Sequence, residues 1–130
     1  MNLISPKVSL EKSSQYLFDA LCDVKNYEKL MPENIAKFEV TSEDSFIFGL
    51  SGMPEIKLKM KDKIATTKVI LGAASEKLPF TLIANIESTG DNSCDVHLDF
   101  EGEFNAMMAM MIKGPINKFL ENLSGNMFKL

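Results

Sequence analysis

Many side chains in this sequence could act as acids, bases, nucleophiles or ligands, but their spacing narrows the set sharply. His97 is the single histidine. It stands between Asp95 and Asp99 in a segment of alternating polarity, on the polar side. Imidazole metal sites draw on two or three histidines, so His97 is read as a solvated surface residue and no metal is expected. With that ring facing outward, the usual general base is missing. Cys22 and Cys94 lack CxxC spacing and are read as reduced, buried thiols.

Asp62 is the exception. Across 55–65, Ile56, Leu58, Met60 and Ile64 fall on one side and Lys57, Lys59, Lys61 and Lys63 on the other. Strict alternation places Asp62 with the apolar set. A carboxylate there must find partners or become neutral. It would then serve as a polar anchor for a ligand hydroxyl or amine, or as an acid in a dehydrase-like reaction. The preferred reading is a bulge or strand end that turns it to solvent, a common device in curved sheets. Tyr16 and Tyr27 are the remaining candidates for acid–base work, near one end.

The elements that must position these groups follow from periodicity. Residues 2–10 read as a strand. Ser13 or Ser14 caps a helix running to about Asp23, with Leu17, Phe18, Leu21 and Val24 as its apolar stripe. A short helix over Asn26–Met31 is stopped by Pro32. Strands are predicted over 36–42, 46–50, 55–65, 68–74 and 80–88. Turns are expected at 43–45, 51–54 and 89–92. From Ser93 to Asn105, Cys94, Val96, Leu98, Phe100, Gly102 and Phe104 alternate with Asp95, His97, Asp99, Glu101, Glu103 and Asn105. From Ala106 the period becomes helical, almost to Leu130. Strand and helix both reach about 40 Å at their respective rises, so the helix can cover the dry face of an antiparallel meander.

At 130 residues the chain is expected to form one domain over 1–130, large enough to fold without disulfide or metal. Its net charge is −4, and its fourteen basic residues are all lysine. A concentrated basic surface with forked guanidinium contacts is lacking, so no nucleic-acid role is expected. No export signal and no bilayer-spanning segment is recognised, which points to the cytoplasm.

The order strand, two helices, meander, long helix resembles the START-like, or birch-pollen-allergen-like (SRPBCC), superfamily. The likeness is nearest to small bacterial members of the polyketide cyclase/dehydrase or lipid-transport-like kind. Its local marks are Asp23, Asn26-Tyr27 and Met31-Pro32, together with the closing strand-to-helix passage. The resemblance implies an α+β helix-grip fold: a curved antiparallel sheet around the C-terminal helix, with an apolar cavity between them. It also implies binding of lipids, sterols, quinones or polyketides, and in a minority of members catalysis. The glycine-rich loop of the plant members is replaced by Thr41-Ser42-Glu43-Asp44-Ser45.

The expected lining is Phe46, Phe48, Leu58, Met60, Asp62, Leu82, Ile86, Leu98, Phe100, Phe104, Met108, Ile112 and Phe119. Ordinary core packing is the competing account of each. No cofactor is expected, and the partner would be a small apolar molecule. A cyclase or dehydrase, and a protein-interaction scaffold with a filled core, are the alternatives. In the last helix, Ile112, Ile116, Phe119, Leu120, Leu123 and Met127 share a sector, while Met107, Met110 and Met111 fall largely outside it. Those methionines either pack through a shift at Pro115, line the cavity mouth, or form a homodimer surface.

Overall fold

The computed structural model describes residues 1–33, 35–50, 55–73 and 80–130. The turn expected at 51–54 and the end of the strand expected at 68–74 fall outside them. Eight strands form one antiparallel sheet: β1 (Asn2–Ile4), β2 (Val8–Leu10), β3 (Lys37–Ser42), β4 (Ser45–Gly49), β5 (Ile56–Ile64), β6 (Lys68–Ala73), β7 (Phe80–Gly90) and β8 (Ser93–Gly102). The order across it is β1-β8-β7-β6-β5-β4-β3, with β2 also paired to β8. The helices are α1 (Ser14–Leu21), α2 (Tyr27–Leu30) and α3 (Ala106–Gly125), with 3-10 turns at Val24–Asn26 and Met127–Lys129.

The strand expected over 2–10 is divided at Ser5-Pro6-Lys7. Pro6 has no N–H to give a ladder, and the buried Ser5 compensates. Its N–H donates to Leu98 O at 2.8 Å, and its hydroxyl accepts from Leu98 N at 2.8 Å. The last strand ends at Gly102, three residues before the predicted Asn105, because Asn105 caps α3: its Oδ1 accepts from Met108 N at 2.8 Å. Ser13 caps α1 by accepting from Tyr16 N at 3.1 Å.

The residues that carried the family resemblance prove to be fastenings. Asp23 Oδ1 accepts from Lys25 N at 3.0 Å, and Asn26 Nδ2 donates to Ala20 O at 2.9 Å. Together they fix the turn between α1 and α2. The turn after β3 is closed on itself by Thr41, Ser42, Asp44 and Ser45.

Inner-face residues of the sheet, such as Phe48, Leu58, Leu71, Leu82 and Leu98, merge with the inner faces of α1 and α3 into one buried core. The Phe48 ring on β4 stacks on Phe119 of α3 at 4.7 Å, nearly parallel, and so joins the sheet to the helix. The helix continues through Pro115 without a break. No shift there packs the methionines: Met107, Met110 and Met111 are 75%, 83% and 63% exposed.

Candidate functional site

Of the thirteen residues expected to line a cavity, ten are buried and belong to the core: Phe46, Phe48, Leu58, Met60, Leu82, Ile86, Leu98, Phe100, Ile112 and Phe119. Phe104 and Met108 are half-buried against the same core. These twelve belong to, or pack against, one continuous core.

Asp62 does not join them. Met60 lies opposite Leu71 and Asp62 opposite Ile70, so Lys61 is an extra residue without a register partner. A one-residue slip exchanges the two faces of a strand. Beyond it Lys63 lies opposite the buried Val69, while Asp62 and Ile64 turn outward, Ile64 being 47% exposed. Asp62 Oδ1 accepts from Lys63 N at 2.8 Å in solvent. The preferred reading of a bulge holds, and Asp62's place among the expected lining residues is corrected to the surface.

The other candidate acids and bases are also spoken for. Tyr27 is buried, its ring stacked on Phe46 at 5.1 Å and its hydroxyl donating to Leu21 O at 2.7 Å. Burial pushes that phenol far above its ordinary range, with a smaller push from Cys22. Tyr16 is exposed, with the Lys12 ammonium over its ring. His97 faces outward as expected but is half-buried rather than fully solvated. Its Nε2 lies 3.7 Å from Asp99 Oδ1, and Asn85 Nδ2 donates to Asp99 Oδ2 at 3.0 Å. Burial raises both thiols; at Cys22 the nearby Lys63 charge offsets part of the rise and Asp19 adds to it, and at Cys94 Asp95 adds to it. Among the described residues no cluster of His, Cys, Asp and Glu could hold a metal ion.

The arrangement is most open where α3 begins. None of residues 106–111 is buried, whereas Ile112, Ile116, Phe119, Leu120 and Leu123 are. Just before this end in the chain, Phe104 stacks on Phe100 at 6.2 Å, and Phe100 lies 4.8 Å from Phe80. Gly102 makes the stack feasible, since a Cβ on it would sit 2.5 Å from the Phe104 ring. Among the described residues, a surface groove of about 510 Å³ runs along Lys61, Gly72, Thr81, Glu101 and Glu103 and reaches Phe80 and Gly102. Other grooves lie beside Asp62 and beside Lys118 and Asn126. Each of these includes charged side chains, unlike the ring cluster of Phe80, Phe100 and Phe104.

Comparison with solved structures shows what this architecture is shared with. Norcoclaurine synthase from Thalictrum flavum superposes with a TM-score of 0.76 at 12% identity, covering 99% of this chain and 84% of that one. A START superfamily protein from Mycobacterium smegmatis gives 0.68 at 10% identity, covering 98% and 97%. The chain has the helix-grip fold. XoxI from Bacillus cereus shares the helix-grip fold as well, at a TM-score of 0.68 and 9% identity, covering 98% and 93%. No protein-family model and no curated protein sequence matches the chain. One norcoclaurine synthase structure is a complex with dopamine and hydroxybenzaldehyde. No helix among the described residues is long and apolar enough to cross a membrane.

Proposed function

We propose that the protein is a binding module for a small apolar molecule, of lipid, polyketide or quinone-like character, held between the sheet and the first two turns of α3. The observation that carries this reading is the contrast along α3. Its later turns are sealed to the core, whereas its first six residues are not, and they directly follow Phe104, which stacks on Phe100 beside Phe80. A guest enters by moving Phe104 and the flexible Met108, both half-buried. Such sites are mainly apolar with few polar groups, as this one is.

Binding without turnover is preferred to a cyclase or dehydrase. Asp62 and Tyr16 point to solvent, and the Tyr27 hydroxyl is committed to Leu21. The free thiols Cys22 and Cys94 suit a reducing compartment, so the proposed location is the cytoplasm.

Native mass spectrometry with palmitate, alongside fluorescence of an anilinonaphthalene sulfonate dye, tests the reading. One equivalent is expected to bind. Gly102→Ala, which displaces the Phe104 ring, is expected to change affinity by about tenfold or more, equivalent to about 1.4 kcal/mol. A protein that takes up neither probe, and carries no extra mass when isolated from cells, has a filled core and acts as a scaffold.

A further inference from the structure

Four of the large apolar side chains standing in solvent belong to α3 and the turn that follows it. Met107, Met110 and Met111 lie near its start, and Phe128, 62% exposed, lies just past its end. At 100° per residue, Met110, Met111, Gly114, Lys118, Glu121 and Gly125 fall in one sector of α3, and each is exposed. This face has the same pattern from either end. Met111 and Phe128 are equally far from the midpoint between Phe119 and Leu120, as are Gly114 and Gly125, and Lys118 and Glu121.

We propose that this face joins two copies of the chain, with α3 of one lying antiparallel across α3 of the other about that midpoint. A two-fold axis there makes the contact self-complementary. At its centre, Lys118 of each copy meets Glu121 of the other, giving two reciprocal pairs. Among the described residues neither side chain makes an ion pair within the chain. At each end Met111, with Met110 beside it, packs on Phe128 of the second copy, an adaptable thioether against an aromatic ring.

Between them Gly114 faces Gly125. A Cβ on either would meet nothing within 4 Å, and neither has a left-handed φ. Gly114 also spares the helix a clash with the Pro115 ring that follows it, whereas at Gly125 the single chain gains nothing from the missing side chain. In the pair, they let the two backbones approach.

The same charges decide against a lipid surface. Lys118 and Glu121 in the middle of the face would have to be desolvated without partners in a bilayer, whereas the two-fold axis supplies each with its opposite. One helix pair covers less than the roughly 800 Å² per partner of a stable complex. The association is therefore concentration-dependent.

Sedimentation velocity from about 1 μM to about 1 mM covers the range of such weak contacts. The wild-type mass is expected to rise toward twice that of the monomer. Met111→Glu, an exposed site that leaves folding intact, is expected to weaken association at least tenfold. Lys118→Glu alone should weaken it, and Lys118→Glu combined with Glu121→Lys should restore it. Gly125→Ala should raise the thermal midpoint of the monomer yet weaken association, a combination that a purely structural glycine does not give. A constant monomer mass overturns the proposal, as does a double reversal that fails to recover. Pelleting of the wild type, but not of Met111→Glu, with phosphatidylcholine vesicles would assign the face to a membrane instead and overturn it equally.

Discussion

The hydroxyl of Tyr27 donates to Leu21 O in a site closed to solvent, with the ring held against Phe46. Its folded pKa is therefore raised well above the unfolded value of about 10, because ionisation would leave a buried phenolate. The sign of the linkage follows. Above about pH 10 the unfolded chain loses this proton while the folded chain keeps it, so stability present below that pH is lost as pH rises toward the folded value. One proton gives a slope of at most about 1.4 kcal/mol per pH unit. Urea unfolding at stepped alkaline pH should show the wild type losing stability more steeply than Tyr27→Phe. The variant starts about 1 kcal/mol lower for its missing hydrogen bond. Equal slopes would mean that Tyr27 is open to solvent. Nothing near Tyr27 in sequence announces this role, since the carbonyl it satisfies belongs to the end of another helix.

At the scale of the element, β5 shows where alternation stops being informative. Its apolar and lysine positions alternate from Ile56 through Met60 as the pattern requires, and these apolar residues are buried. In 61–64 the alternation is interrupted only by Asp62 on the apolar side, and there the bulge at Lys61 exchanges the faces. No turn residue or glycine marks the slip within β5, so the misplaced carboxylate is its one local sign. The partner strand supplies the reason: Gly72, opposite Lys59, leaves room for the Lys61 stem, which lies where a Cβ would otherwise be. The start of α1 is legible because Ser13 is a capping residue type, and that of α3 because the period changes at Ala106, whereas Asn105 reads as strand although it is the cap. The division of the first strand was less so, because it depends on Ser5 finding Leu98 across the sheet. With Asp62 outward, Asp62→Ala should change urea-measured stability by no more than about 0.5 kcal/mol and leave probe binding unchanged. A larger loss, or lost binding, would restore the inward anchor.

For the whole molecule, a sheet with one apolar face and a long amphipathic helix leave few compact solutions, which is why a sheet closed over the helix follows from pattern, and the helix-grip fold from the resemblance in element order. The degree to which the space between them is filled could not, since it depends on how individual rings stack. Phe48 and Phe119 close one part of it, while Phe104 and Met108 only half-close the other. The fastening is therefore uneven along α3, and opening free energy should follow it. Phe119→Ala removes the ring that ties the helix to β4 and should cost about 3–5 kcal/mol in urea unfolding, the range for deleting a buried aromatic. In the wild type, hydrogen exchange should be fast for amides over 106–111 and slow for the turns around Ile116 to Leu123. Palmitate should slow the first group and leave the second nearly unchanged, because only the first lies over the proposed site. Uniform protection along α3 before any ligand is added would show that the helix is sealed throughout and that no guest enters at its start.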